Sequence, residues 1–241
     1  MRLDRLLSTL AIGSRSQVKE LVRQGRVQVR ASVARDAAMD VVPGEAIKVD
    51  DVPLDTRVVR HVMMNKPAGV LTAARDRKQP TVLDLLPPLY HSCGCMPVGR
   101  LDKDTEGLLL FTSDGQAAHR LLSPKQLVPK VYQAQVSGRL RADAVTAFER
   151  GLDLGDFVSM PARLQILLSG EESSTAEVTV CEGKFHQVKR MFSACGHEVL
   201  ALKRLRFGGL ALDDALAPGA WRELRDEEWD LLMKGVGGDA G

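Results

Sequence analysis

The segment Gly99–Thr112, GRLDKDTEGLLLFT, constrains this chain more than any other stretch. Its first half is a polar loop carrying Arg100, Asp102, Lys103, Asp104 and Glu106, and its second half, Leu108 to Phe111, is apolar at four consecutive positions. Such a run reads as a strand set in a core, so the charged side chains before it are held at the edge of a rigid element. An arbitrary Asp in a loop is ordinarily just a turn residue. The choice between an idle turn and a fixed site rests on how long a pattern the segment matches.

The rest of the chain sets this segment in a mixed architecture. Strands are expected at His61–Asn65, Leu108–Thr112, Val131–Val136, Arg163–Leu168, Glu177–Cys181 and Val199–Leu205. Helices are expected at Val82–Leu86, Asp114–Leu122, Ala142–Arg150 and His186–Cys195. Short hairpin-like strands mixed with few helices argue for α+β rather than a doubly wound parallel sheet. The glycine-rich tail Gly235–Gly241 reads as disordered, and its GVGGDAG lacks the lysine and following helix of a phosphate loop.

The N-terminal stretch reads as a separate small module. Leu3, Leu6, Leu7 and Leu10 recur at helical spacing, with Gly13 as the stop. Ser14 or Ser16 can cap a second helix whose Val18, Leu21 and Val22 face inward before Gly25 ends it. Val27 and Val29 alternate with Arg26, Gln28 and Arg30 as in a half-buried strand, and Pro43-Gly44 turns into another at Ala46–Val49. The polar stretch Asp50–Arg57 reads as a linker, which places a first domain at residues 1–55 and a second at 58–236.

Charge singles out the same module. The whole chain carries 33 Lys and Arg against 31 Asp and Glu, a net charge of +2 that announces no polyanionic partner by itself. Between Met1 and Arg35, however, eight basic residues face only Asp4 and Glu20. Arg15, Lys19, Arg23 and Arg26 can project from one side of the second helix and its following turn, where each would neutralise phosphate without reading sequence. A second basic stretch, Lys184, Lys189, Arg190, Lys203, Arg204 and Arg206 against Glu198 alone, falls on the elements near the chain's C-terminal third.

The first module resembles the S4 RNA-binding domain, through Arg2-Leu3-Asp4, Gly13 to Arg15 and Gly25 to Val29; Arg30-Ala31 stands where that family usually has Asn-Gly. The Gly99–Thr112 segment resembles the catalytic motif of the pseudouridine synthases at every defined position. Asn65 to Val70 (NKPAGV), Lys130-Val131-Tyr132 and Glu182 to Met191 (EGKFHQVKRM) resemble three further elements of that family. An S4 module together with HQVKRM is most similar to the group acting on the small ribosomal subunit, and members acting on the large subunit more often carry RQIRRM.

The resemblance implies a mixed, mostly antiparallel sheet with flanking helices and a central cleft. It implies isomerisation of a uridine extruded from folded RNA. Asp102 is then the catalytic carboxylate, acting as nucleophile at C1′ or as base toward C2′, and Lys189 its compensating cation. Arg100 fills the vacated stack, and Tyr132 stacks on the flipped base and assists loss of the C5 proton. Leu202, Leu101, Asn65 and Lys66 are expected in the substrate pocket. RNA contacts are expected from Arg2, Arg15, Lys19, Arg23, Arg26, Lys130, His186, Gln187 and Arg190. The implied partner is ribosomal RNA or a partly assembled small subunit. Neither cofactor nor metal is implied, because nothing is oxidised or consumed.

Four cysteines do not have the dense spacing of a disulfide-stapled domain, and no stretch approaches the roughly 20 apolar residues that cross a bilayer. A soluble, cytoplasmic monomer is expected. His91, Cys93 and Cys95 lack the spacing and second pair of a zinc site, and Cys181 and Cys195 read as buried small apolar residues. Three alternatives stay open: a large-subunit synthase, a non-catalytic ribosome-assembly factor, and a hydrolase that releases uracil.

Overall fold

Leu3, Leu6, Leu7 and Leu10 are spaced to share one helix face, and in the computed structural model, which describes residues 1–236, they bury that face along α1 (Leu3–Thr9) and its C-cap. Helix α1 stops before Gly13, because Leu10 is the C-cap and Ala11 takes a left-handed conformation, φ 59°. Ser14 caps α2 (Arg15–Arg23): its hydroxyl accepts from the Gln17 amide while the Gln17 side chain accepts from the Ser14 amide. The chain continues through β1 (Val27–Val29), β2 (Ser32–Val33), β3 (Ile47–Val49) and β4 (Val52–Pro53), which form an antiparallel sheet in the order β2-β1-β3-β4.

Both hairpins of this sheet turn on two residues at positive φ, Arg30-Ala31 (51° and 65°) and Asp50-Asp51 (51° and 63°). That mirror-image turn matches the twist of the strands. Without glycine, Arg30 and Ala31 adopt it at a cost on the order of 1 kcal/mol each. The expected linker at Asp50–Arg57 is instead part of the packed structure. Strand β4 pairs with β3, the buried Thr56 hydroxyl accepts from the Gly44 amide and donates to the Glu45 carbonyl, and Asp55 pairs with Arg57 and Arg60. Polar residues suit a solvated hairpin as well as a linker, so composition alone misassigned the stretch.

This first compact unit comprises Met1–His61 with Leu86–Met96 and Thr112–Asp114. The helix expected at Val82–Leu86 is absent. Residues 82–85 are turns, and the helix starts later as α3 (Pro88–Ser92), whose Leu89 joins the core of the first unit. Pro87 excludes Leu86 from the helical region, whereas Pro88 suits a first helical position.

The second unit holds Val62–Leu85, Pro97–Phe111 and the chain from Gly115 on. Its nine-stranded sheet contains β5 (His61–Lys66), β6 (Met96–Val98), β7 (Glu106–Thr112), β8 (Lys130–Ser137), β9 (Arg163–Ser169), β10 (Ser173–Val180), β11 (Val199–Phe207), β12 (Leu210–Ala211) and β13 (Trp221–Glu223). The order is β13-β5-β7-β11-β8-β10-β9, with β6 on β7 and β12 on β11. Strands β7 and β11 run parallel while β8 is antiparallel to both β10 and β11, so the sheet is mixed. Helices α4 (Gly115–Leu122), α5 (Ala142–Arg150), α6 (Gln187–Ala194) and α7 (Asp226–Lys234) cover it.

Two apolar clusters fix the sheet. Phe148 of α5 and Phe192 of α6, ring centroids 5.0 Å apart, pack with Ala134, Val136, Ala176 and Val178. Met63, Leu108, Leu110, Phe207 and Leu232 form the other cluster. Strand β7, flanked by β5 and β11, buries Leu108 to Phe111 completely, as expected of a strand covered on both faces. Of the glycine-rich tail, Gly235 is the C-cap of α7 and Val236 is buried, and residues 237–241 lie outside the described residues. Among the described residues no helix is long and apolar enough to cross a membrane.

Candidate active site

The loop before β7 is clamped from behind. Lys66, wholly inaccessible to solvent at the end of β5, donates to the carbonyls of Pro67 (3.0 Å), Lys103 (3.2 Å) and Thr105 (2.9 Å). The Gly69 amide also donates to Lys103, and the Thr72 hydroxyl both donates to the Leu101 carbonyl and accepts from its amide. Where the loop enters β7, Gly107 has φ 99°, and a Cβ there would collide with the backbone carbonyl and amide of Arg204 on β11. Only glycine permits that approach. Arg204, fully buried, donates its Nε–H to the Leu108 carbonyl at 2.7 Å.

What the clamp holds is a small, open cleft with a free volume of about 70 Å³. Asp102 and Arg100 come from the loop, Tyr132 from β8, Lys189 from α6 and Leu202 from β11, with Leu101 also in the wall. Tyr132 and Leu202 share a sheet face because Leu202 lies two residues from Arg204, the cross-strand partner of Tyr132. Arg100 is exposed at the rim, and Leu101 and Leu202 are buried. Asp102 is half-buried with Lys189 Nζ 3.6 Å from Oδ2 and His186 Nε2 3.5 Å from Oδ1.

Lys189 is nearer still to Asp104, 2.6 and 2.7 Å from its two oxygens. That bond holds the Asp104 carboxyl below the usual range. Burial pushes the Lys66 ammonium down to about 8, against the opposing pull of Asp104, Asp102 and Glu106. Sequence reading missed Asp104 as the second partner of Lys189; its only signal was a second carboxylate two residues beyond Asp102. Thr105 also went unnoticed, a cleft residue whose buried hydroxyl has no partner among the described residues.

Several expected contacts are corrected. Asn65 and Lys66 do not line the cleft: Asn65 is buried with its amide donating to the Leu216 carbonyl, and Lys66 serves the loop carbonyls. Lys130 turns inward, its ammonium donating to the Val128 carbonyl at 2.8 Å beside the Phe207 ring, and burial followed by repulsion from Arg204 lowers its proton affinity. Gln187 is buried and brackets the segment before α6, donating to Glu182 and accepting from the Lys184 amide. Arg190 is tied to Asp156 and the Leu154 carbonyl. His186 faces Asp102 as well as solvent. Arg204 belongs to the core, so the second basic surface is smaller than its sequence count.

In the first unit Arg2 pairs with Asp4, Arg23 with Glu20 and Arg26 with Asp50, all three arginines remaining about half or more exposed. Arg15 and Lys19 are exposed on α2 and have no ion-pair partner within 4.0 Å among the described residues. Cys93 donates to the Thr9 carbonyl and Cys95 to the Arg60 carbonyl, and Cys181 and Cys195 are half-buried rather than buried. No three His, Cys, Asp or Glu side chains among the described residues gather as a metal site.

Comparison with known proteins gives the family. An S4 domain model matches residues 1–47 and a model described as RNA pseudouridylate synthase matches residues 60–194. The chain is 45% identical over 234 residues to the uncharacterized RNA pseudouridine synthase YtzG of Bacillus subtilis, spanning 96% of this chain and 98% of that protein. It is 38% identical over 232 residues to the ribosomal small subunit pseudouridine synthase A of Yersinia pestis, covering 95% and 96%. A crystal structure of a pseudouridylate synthase superposes with a TM-score of 0.67 at 31% identity, covering 96% of this chain and 99% of the other. With the family model spanning the loop, strands β5 to β10 and α6, and relatives aligned over nearly their full lengths, the chain belongs to the RNA pseudouridylate synthase family, with an S4 domain at its N-terminus.

Proposed function

We propose that this protein isomerises one uridine of small-subunit ribosomal RNA to pseudouridine in the cleft around Asp102. The observation that carries the reading is the convergence of a half-buried carboxylate with Lys189 and His186 inside a wall of Tyr132, Leu101 and Leu202. Several relatives 36–38% identical over their full length are named ribosomal small subunit pseudouridine synthase A, which supports the choice of RNA.

In this reading the target uridine leaves its stack at a cost of a few kcal/mol and enters the cleft. Arg100, at the exposed rim, occupies the vacated place; its planar cation suits both stacking and phosphate. Asp102 acts in its ionised form on the ribose, as nucleophile at C1′ or base toward C2′, with Lys189 compensating its charge. The C1′–N1 bond breaks, uracil turns against Tyr132, the C1′–C5 bond forms, and the C5 proton leaves as N1 regains one. The product is an isomer of the substrate and no cofactor is consumed. Residues 1–55 hold the RNA through Arg15, Lys19 and Arg2 together with the exchangeable Arg23 and Arg26, while 58–236 carry the chemistry. The protein works as a cytoplasmic monomer on naked RNA or a partly assembled subunit.

The test is to incubate wild type and Asp102→Asn with small-subunit RNA, stripped and protein-bound, and to map pseudouridine by carbodiimide-dependent reverse-transcription stops. One new stop is expected with wild type, and a rate lower by at least about three orders of magnitude with the variant. No stop on either form, with RNA binding retained, sinks the reading in favour of an assembly factor. A stop on large-subunit RNA alone moves the substrate, and free uracil points to a hydrolase.

A further inference from the structure

Phe111, Phe148, Phe192 and Phe207 are fully buried, and Phe157 is half-buried with Lys184 and Arg190 over its ring. Phe185 is 72% exposed, the most exposed large apolar side chain among the described residues and the one aromatic in that group. A phenyl ring left in water forgoes the favourable transfer that burial would bring. This ring is nonetheless held in place. It stacks on the His186 imidazole with centroids 3.8 Å apart and planes 17° from parallel.

The stack is fixed by an unusual backbone. His186 is left-handed at φ 49°, a conformation that a non-glycine residue adopts at a cost and that recurs at ligand clamps and active sites. In that conformation one imidazole meets both Phe185 and Asp102. Lys184 and His186, the neighbours of Phe185 on either side, both line the cleft. The phenyl ring therefore belongs to a residue whose two chain neighbours line the cleft, and its stacking partner His186 is the imidazole that faces Asp102.

We propose that the Phe185–His186 stack is a platform for the nucleobase next to the uridine held in the cleft. The inference rests on the uridine reading of that cleft and goes beyond it by naming a second base site. A base beside the extruded uridine that leaves its own stack has a bare face, and a flat, exposed aromatic ring is the surface on which unpaired bases stack. Such stacking tolerates any base, so the platform adds affinity and register without adding a sequence requirement.

The experiment uses the full chain and two uridine-centred RNA pentanucleotides carrying fluorescent 2-aminopurine, one on the 5′ side of the uridine and one on the 3′ side. With wild type one probe is quenched on binding. Phe185→Ala and Phe185→Leu lose the quench and bind that probe about 5- to 150-fold more weakly, the span of one base–aromatic stack. Phe185→Tyr keeps both. Because the ring is on the surface, these variants keep the wild-type unfolding midpoint. The proposal is overturned if neither probe is bound and quenched by wild type, if Phe185→Ala quenches equally, or if Phe185→Leu behaves as wild type, which would make the contact merely apolar. Pseudouridine formation on ribosomal RNA is read separately. Wild type that modifies RNA without a Phe185-dependent quench removes the platform alone, and a Phe185-dependent quench without modification removes the isomerase reading.

Discussion

Basic side chains meet acidic ones in both the N-terminal unit and the cleft, but on different terms. Arg23 with Glu20 and Arg26 with Asp50 are surface pairs in which both partners stay about half or more in solvent. Exposed pairs contribute about 0–1 kcal/mol, so a phosphate can replace the carboxylate at little cost. Around the cleft, Lys66, Lys130 and Arg204 serve backbone carbonyls, and Lys189 is tied to two carboxylates. Those cations build the site and are not available for exchange. A count of Lys and Arg therefore says where RNA can be attracted, and burial says which cations can reach it.

The sharpest way to break this contrast is at the base of the clamp. Gly107→Ala drives a methyl group into the Arg204 backbone at a position of positive φ. Overpacking and backbone strain together are expected to cost about 3–5 kcal/mol, seen as a lower urea midpoint or failure to fold, whereas Arg23→Ala should change stability by about 0.5 kcal/mol or less. Equal midpoints for the two variants would mean that the cleft loop is no more rigid than the surface of α2.

Next in size is Lys189→Met, expected to lower kcat on ribosomal RNA about 100-fold while leaving RNA affinity within about twofold, since a positioned cation acts on developing charge. A loss carried entirely by affinity would return Lys189 to the class of phosphate contacts.

Lys66 offers a pH test of about tenfold. Its ammonium has three protons for three carbonyls, and above about 8 one carbonyl loses its donor. Activity should fall as pH rises through that value, and Lys66→Met should be low and flat there. Stability moves the other way. Between about 8 and 10.5 the unfolded chain binds more protons than the folded one, so this group makes stability rise with pH. Parallel declines in rate and stability would sink the clamp model.

The smallest expected effect lies in the N-terminal unit. Arg15→Ala and Lys19→Ala should each flatten the log–log salt dependence of RNA binding by about 0.7–0.9, with kcat at saturating RNA unchanged. An unchanged slope would remove α2 from the RNA interface.

Periodic segments were legible without coordinates. Helix α5 occupies Ala142–Arg150 as its spacing predicts, and β7 could be read from four consecutive apolar residues. Segments lacking that contrast were not. The hairpin through Val52–Pro53 was read as a linker, and β13 and α7 went unread because Trp221–Lys234 mixes charge and apolar residues without a clean period. In the site, the family resemblance named Asp102, Arg100, Leu101, Tyr132, Lys189 and Leu202, and all six line one cleft. Motif membership did not distinguish Lys189, which faces Asp102, from Lys66, which faces carbonyls behind the loop.

By itself the sequence determined the family, the two kinds of basic segment and the carboxylate loop attached to a buried strand, because apolar periodicity and a fourteen-residue pattern are local properties. Only the tertiary structure decided which cations are spent on backbone, that Asp104 shares Lys189, and that Phe185 is left in solvent beside the cleft. Burial and pairing are set by residues 96 positions apart, as with Arg204 and Leu108, or 151 apart, as with Asn65 and Leu216, and no local pattern carries that information.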